Sequence, residues 1–133
     1  MASHPTLRSV VLDCLDVREL AEFYRALTGW DYPPGHDPVD AEDDWLSVLG
    51  PEGVRISFQK VPELRATTWP SGDVPQQAHL DFLAATREEM EEQHERLLAL
   101  GAVVRLDRTE DPEEPLRVYA DPAGHTFCLF THP

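Results

Sequence analysis

The chain has 133 residues, of which 41% are hydrophobic and 27% are charged, and its net charge at pH 7 is −14. This length and composition predict one globular domain that needs neither a disulfide nor a metal to hold it together. Because an acidic chain repels phosphate backbones, nucleic acid is not an expected partner. The same charge would favour a cationic ligand near a pocket, although acidic residues more often serve solubility alone.

Hydropathy and cysteine content give further expectations. The apolar runs are far too short for a membrane span, and the opening MASHPTLRS lacks the pattern of a signal peptide. We therefore expect a cytoplasmic protein with no membrane partner. Cys14 and Cys128 lie far apart inside apolar runs, which favours buried free thiols, and no paired Cys/His spacing predicts a structural zinc site.

The first half of the chain predicts a strand, a helix and three further strands. The strand covers residues 9–15, SVVLDCL. Asp16 and Glu19 have the spacing of a capping box, and Gly29 ends the helix that follows. The apolar face of that helix comprises Leu20, Phe23, Tyr24 and Leu27. Strands are predicted around residues 30–32, 45–49 and 54–60, with an acidic loop at 37–44.

The second half predicts the same order of elements. A strand at residues 78–84 precedes a capping box formed by Thr86 and Glu89, and Gly101 ends the helix. The predicted apolar stripe of this helix comprises Met90, Leu97 and Leu98, with His94 on the same face. Three strands follow, at residues 102–106, 116–120 and 126–131.

The landmarks of the two halves have nearly constant offsets. The helix caps Asp16 and Thr86 are 70 residues apart, and the helix-ending glycines, Gly29 and Gly101, are 72 apart. This agreement predicts a duplicated βαβββ unit, with one module at about 7–60 and another at about 78–131. The segment 61–77 joins them, and its Trp69 either covers a pocket or pins the loop to the body.

Strand alternation predicts which side chains share a face. One face of each sheet is consistently apolar and should pack under the helices. The other mixes polar and aromatic groups, and a sheet curled around such a face would suit a small-molecule pocket. The mixed face carries Ser9, Val11 and Asp13 in the first strand, Arg55, Ser57 and Gln59, then His79 and Asp81, and finally Thr126, Cys128 and Phe130.

The whole pattern resembles the vicinal-oxygen-chelate superfamily, which includes glyoxalase I, extradiol dioxygenases, and fosfomycin- and bleomycin-resistance proteins. The resemblance is carried by the duplicated order and by LDCLDVRELAEFYRALTGW and YADPAGHTFCLF, and WPSGDVPQQAHLDF is similar to glyoxalase-like members. It covers about residues 9–130 and implies an α+β fold in which two βαβββ modules form a curled mixed-sheet cup, with the helices on its outer face.

The resemblance also implies where metal ligands would lie. Carried onto this chain, those positions are Ser9, Ser57 (or Gln59 if the register slips by two), His79 and Cys128. The superfamily's enzymes have His, Glu or Gln there, so only His79 matches. Since a catalytic metal needs about three protein ligands and an open position, we expect no metal and no cofactor. Asp81 could replace a missing ligand or accept a hydrogen bond.

The leading hypothesis is a metal-free protein that binds an aromatic or cationic small molecule, as the bleomycin-resistance branch does by sequestration. The alternatives are a lyase, isomerase or dioxygenase-like enzyme with a reduced site around His79, Asp81 and Cys128, and an interaction module with a vestigial cup. The resemblance alone favours a homodimer. The predicted ligand-binding residues are Trp45, Arg55, Ser57, Gln59, Trp69, His79, Asp81, Tyr119, Cys128 and Phe130.

Overall fold

The computed structural model of the protein describes residues 3–35 and 44–133. The chain divides into two compact units, Met1–Leu64 and Arg65–Pro133. The predicted acidic loop at 37–44 lies outside the described residues except for its last position. Most of the segment that was expected to link the halves, residues 65–77, belongs to the second unit.

The first unit is a three-stranded mixed sheet with one helix. Its elements are β1 (Ser9–Cys14), α1 (Val17–Thr28), β2 (Trp45–Leu49) and β3 (Arg55–Lys60). The sheet order is β1-β3-β2, in which β1 runs parallel and β2 antiparallel to the central β3. The β-branched and aromatic residues of β3 suit this central position, since a central strand packs on both faces.

Helix α1 begins and ends where the capping residues predict. The Asp16 carboxylate accepts a hydrogen bond of 3.1 Å from the Glu19 amide, and Gly29 has the left-handed φ of 76° that favours glycine. The helix packs on the apolar face of the sheet, where the Tyr24 ring stacks on Phe58 at 5.7 Å. Its buried residues are Val17, Leu20, Ala21, Phe23 and Tyr24.

The prediction of a strand around residues 30–32 is wrong. Only an isolated bridge forms there, between Asp31 and Leu49, whose amide donates to the Asp31 carbonyl at 2.8 Å. Pro33 and Pro34 follow immediately, and because proline has no backbone N–H they cannot extend the ladder. The described part of the first unit therefore has three strands.

The second unit shows the complete predicted order. Its elements are β4 (Leu80–Leu83), α2 (Arg87–Ala99), β5 (Val103–Arg108), β6 (Leu116–Ala120) and β7 (Thr126–Phe130). The sheet order is β4-β7-β6-β5, with β4 parallel to β7 and the other pairs antiparallel. In both units the first strand thus pairs in parallel with the last, which is the topology expected of a duplication.

Helix α2 is attached to its sheet by polar contacts more than by apolar ones. Met90 and Leu97 are its buried residues, and Leu98, which was predicted to join them, is 42% exposed. His94 Nδ1 lies 2.7 Å from the Tyr119 hydroxyl, and both Glu91 carboxylate oxygens accept from Arg117 at 3.1 Å. Ion pairing compensates the cost of burying the Arg117 guanidinium, which is 9% exposed.

The architecture confirms the predicted α+β class, with mixed sheets and a helix on one face of each. Both cysteines are free and buried, as expected from the sequence. Among the described residues, no helix combines the length and apolar character that crossing a membrane would require.

Candidate functional site

The face of each sheet away from its helix is called the distal face here. In the first unit the strand register arranges its side chains as three rows across β1, β3 and β2. The row nearest the start of β3 is Ser9, Arg55 and Leu49, the middle row is Val11, Ser57 and Ser47, and the far row is Asp13, Gln59 and Trp45. The predicted residues Trp45, Arg55, Ser57 and Gln59 therefore do share one face.

Three serines of this face form a hydrogen-bonded chain. The Ser57 hydroxyl lies 2.8 Å from that of Ser47 and 3.1 Å from that of Ser9. Ser57 and Ser47 are buried, at 1% and 7% exposure, whereas Ser9 is half-buried. Ser47 was not predicted as a site residue. Its position two residues from both Trp45 and Leu49 in β2 could have placed it on this face.

Arg55 and Trp45 give the two ends of this face different chemistry. The Arg55 side chain is half-buried, and its Nε is fully buried without a hydrogen-bond partner among the described residues. Trp45 is 46% exposed and presents much of its indole to the surface. A cation thus lies at one end of the face and an aromatic ring at the other.

In the second unit, His79, Asp81 and Cys128 come together on the distal face. Asp81 and Cys128 are register partners of β4 and β7, and His79 precedes β4 on the same side. His79 Nε2 lies 3.2 Å from Asp81 Oδ1. The possible ligand atoms of all three side chains lie within 4.8 Å of one another. The three residues that the sequence predicted as a group are therefore close together in space.

The surroundings of Cys128 make it a poor nucleophile. Burial raises the pKa of this thiol to about 12, and the negative charge of Asp81 and a hydrogen bond to it act in the same direction. Because the thiolate is the reactive form of cysteine, the protonated Cys128 is inert near neutral pH. The cluster offers hydrogen bonds and charge rather than a nucleophile.

Two further contacts border this cluster. Phe130 is half-buried on the same face of β7, beside Leu83 in the register. Gln76 accepts a short hydrogen bond from the buried Thr126 hydroxyl. Residues 65–77 thereby reach the distal face, a contact that local sequence patterns could not predict. Trp69 is half-buried in that segment, and its amide donates to the Thr67 hydroxyl at 3.2 Å.

The prediction that Tyr119 faces a pocket is wrong. Tyr119 is a register partner of Phe127, on whose ring it stacks at 5.3 Å, and it is fully buried under α2. Its hydroxyl hydrogen-bonds His94, and burial raises its pKa to about 12. An aromatic residue in β6 suits either face, and the cross-strand register decides between them.

The described residues also form a polar cleft on the outer side of α1. Its lining includes Arg18, Glu22, Arg25, Asp31 and Tyr32. Arg25 pairs with Glu22 at 2.8 Å and Asp31 at 2.9 Å, and its guanidinium lies 4.9 Å from the Tyr32 ring centroid. Because these charges already compensate one another, the cleft is a weaker candidate than the distal faces.

The superfamily resemblance raises the question of whether a divalent metal binds this protein. The donor side chains that are present form an incomplete ligand set for one. His79, Asp81 and Cys128 are nitrogen, oxygen and sulfur donors of the kinds that transition metals accept. However, burial and the nearby Asp81 charge raise the pKa of the metal-free Cys128 thiol to about 12, so a metal would displace its proton at a greater cost than from an ordinary thiol. The corresponding first-unit residues, Ser9 and Ser57, are neutral hydroxyls bonded to each other and are poor ligands.

One known family model matches most of the chain. Residues 9–130 match the family model described as the glyoxalase-like domain. The protein therefore belongs to the glyoxalase-like domain family, within the vicinal-oxygen-chelate superfamily. No sequence among curated proteins matches it significantly.

Solved structures share the fold at low sequence identity. A glyoxalase/bleomycin resistance protein/dioxygenase family enzyme from Burkholderia phytofirmans has a TM-score of 0.72 and 15% identity, covering 97% of this chain and 100% of that one. A mutant of the fosfomycin resistance protein FosX from Listeria monocytogenes, complexed with Mn(II) and 1S,2S-dihydroxypropylphosphonic acid, has a TM-score of 0.70 and 19% identity, covering 96% and 90%. A possible glyoxalase from Bacillus cereus has a TM-score of 0.68 and 16% identity, covering 94% and 97%. Similarity at this level supports the fold alone.

Proposed function

We propose that the protein binds a planar small molecule on the distal face of its first unit without a metal, in the manner of a sequestering resistance protein. The observation that carries the proposal is the serine chain of Ser9, Ser57 and Ser47. Ser9 and Ser57 occupy two of the positions where the resemblance would place metal ligands in a catalytic superfamily member, and their hydroxyls are hydrogen-bonded to each other instead. Sequestration needs a shaped surface and no catalytic group.

The groups of each distal face, taken by itself, support a planar ligand. The exposed indole of Trp45 can stack on a flat molecule, an interaction worth about 0.5–1.5 kcal/mol beyond burial of its area. In the second unit, His79 and Asp81 are 38% and 55% exposed and remain available for hydrogen bonds. Cys128 contributes a protonated thiol rather than a reactive group.

The proposal is tested by titrating chelator-treated, ¹⁵N-labelled protein with 2-naphthoate, 2-naphthamide and 2-naphthylmethylamine. We expect saturable shifts of the Trp45 indole N–H and of the amides of Ser47 and Ser57 with at least one compound. Trp45→Ala should weaken binding about fivefold, because it removes one stacking contact. The control is Leu98→Ala, which removes an apolar side chain of similar exposure (42%) from the other unit. Absence of saturable shifts with all three compounds would refute the proposal.

The cluster of His79, Asp81 and Cys128 favours one second candidate, an enzyme of the lyase or isomerase class with a reduced site. This candidate predicts about one equivalent of a divalent metal in protein purified without chelators. The metal would be lost in His79→Ala and retained in Arg65→Met, which changes an exposed residue of the same unit. Metal below about a tenth of an equivalent in the wild-type protein would refute it.

The proposal includes a homodimer, which the superfamily resemblance supports, in the cytoplasm, where free thiols such as Cys14 and Cys128 persist. Analytical ultracentrifugation of the full chain tests whether it forms a homodimer. A mass near twice 15.0 kDa is expected, and a monomer at all concentrations would contradict it.

A further inference from the structure

We infer that the ligand of the first unit carries an anionic oxygen group, such as a carboxylate, sulfonate or phosphonate, which is bound by Arg55 and the Ser9 hydroxyl. This inference rests on the proposed binding function and specifies the chemistry of its ligand. It differs from the cationic ligand that the net charge suggested. The argument depends on three features of one end of the distal face.

The first feature is the uncompensated charge of Arg55. Its Nε is buried without a hydrogen-bond partner, and no carboxylate of residues 3–35 or 44–133 forms an ion pair with it. Arg117, the other arginine with a buried unpartnered nitrogen, has two carboxylate partners. Taking a guanidinium out of water without a counter-charge is costly, and a bound anion would compensate that cost. The planar guanidinium matches a carboxylate or phosphonate particularly well.

The second feature is the direction of the serine chain. Three hydroxyls joined by two hydrogen bonds use two of their three protons, which leaves one free proton on Ser47, Ser57 or Ser9. If that proton were on Ser47 or Ser57, which are 7% and 1% exposed, a buried donor would lack a partner. The favoured direction runs from Ser47 through Ser57 to Ser9, so that the half-buried Ser9 donates outward. A ligand atom that meets Ser9 must then be an acceptor.

The third feature is the register that joins these two donors. Ser9 and Arg55 are paired residues of the neighbouring strands β1 and β3, which are separated by about 4.8 Å. One anionic group can therefore contact both side chains. Trp45 belongs to the row of Gln59, about 13 Å along β3 from Arg55, so the remainder of a planar ligand would extend toward the indole.

The overall charge of −14 opposes an anion at long range but does not decide contact affinity. At physiological ionic strength, charges beyond about 8 Å are largely screened. The contacts made by Arg55 and Ser9 lie well within that distance. The net charge should therefore slow association more than it weakens the bound state.

The test compares 2-naphthoate with its neutral analogue 2-naphthamide by isothermal titration calorimetry in an organic-cation buffer without competing oxyanions. We expect the carboxylate to bind wild-type protein at least about tenfold more tightly, as a charge-assisted contact with arginine implies. Arg55→Met should reduce that ratio to about one, and Arg55→Lys should restore part of it. Ser9→Ala should reduce carboxylate affinity about fivefold and amide affinity less, because the hydrogen bond to a charged acceptor is the stronger one.

The control is Arg65→Met, which removes the same charge from an exposed position in the other unit and should leave the ratio intact. If naphthamide binds as tightly as naphthoate, or if Arg55→Met preserves the preference for the carboxylate, the inference fails while the proposed binding function stands. If neither compound binds, the inference fails, and the proposed binding function stands only if 2-naphthylmethylamine binds.

Discussion

The Cys128 thiol lies in the buried part of β7 against the carboxylate of Asp81. Burial first, and then that negative charge and its hydrogen bond, raise the thiol pKa from its ordinary value of 9.0 to about 12. A cysteine beside a histidine suggests nucleophilic catalysis in the sequence, but activation requires an environment that stabilises the thiolate. Here the nearest charge has the wrong sign.

This arrangement predicts how Cys128 reacts with iodoacetamide. In a Cys14→Ala background, we expect alkylation of the folded protein to show no inflection below about pH 10, because the thiol remains protonated. Asp81→Asn should move the profile to lower pH, since it removes the negative charge. Asp73→Asn changes an exposed carboxylate of the same unit and should have no effect. An inflection near 9 in the background protein would contradict this view of Cys128.

Residue types alone identified some of the site but not its contacts. Alternation placed Arg55, Ser57 and Gln59 on one face, because strand geometry has a fixed period of two. It could not place Tyr119, since apolar residues occupy both faces of β6 and only pairing with Phe127 decides which face meets α2. Alternation also could not reveal that Arg55 has no carboxylate partner, because such a partner would come from residues distant in the chain.

At the scale of elements, the two helices are stabilised differently. Helix α1 buries five apolar residues, whereas α2 buries Met90 and Leu97 and relies on polar contacts to β6. Both helix starts were predictable because a capping box is a local pattern. The polar contacts of α2 were not predictable, because they join residues 26 and 25 positions apart, as in Glu91–Arg117 and His94–Tyr119.

The cap of α1 can be tested by Asp16→Ala. Its carboxylate accepts from the Glu19 amide at 3.1 Å, and its removal should lower the free energy of unfolding by about 1 kcal/mol. Asp16→Ser retains a capping oxygen and should recover most of the loss in urea denaturation. Equal destabilisation by both substitutions would show that the hydrogen bond is not responsible.

The link between β5 and β6 should make stability depend on pH through Asp107. Hydrogen bonds from the Thr109 amide and hydroxyl, followed by Arg117, lower the pKa of Asp107 from 3.8 to about 2. Because the folded-state pKa is depressed, this contribution is present above the unfolded value of 3.8 and is lost as the pH falls through about 2.

Asp107→Asn should therefore lower the free energy of unfolding by about 1 kcal/mol at pH 7, a figure reduced for solvent screening because the Asp107 side chain is 50% exposed. Urea denaturation at pH 7 and pH 2 measures whether the difference from wild type shrinks at the lower pH. Glu63→Gln, at an exposed carboxylate, is the control. A difference independent of pH would indicate that ionisation of Asp107 does not contribute.

At the scale of the whole molecule, the units share a topology and differ in the chemistry of their distal faces. The parallel pairing of first and last strand occurs in both, and the near-constant offset of about 70 residues made the fold predictable. Function is less predictable from the fold, because related folds carry different sites. The distal face of the first unit carries the serine hydroxyls, the Arg55 guanidinium and the Trp45 indole. That of the second unit carries the His79 imidazole, the Asp81 carboxylate and the Cys128 thiol.

Metal-independent binding is the central claim, and one measurement tests it directly. The affinity of chelator-treated protein for 2-naphthoate is measured by calorimetry with and without one equivalent of Zn²⁺ or Mn²⁺. We predict the same Kd, within about twofold, in all three conditions, because Arg55, Ser9 and Trp45 are not metal ligands. Binding that occurs only after metal is added, and that is lost in His79→Ala, would contradict the account.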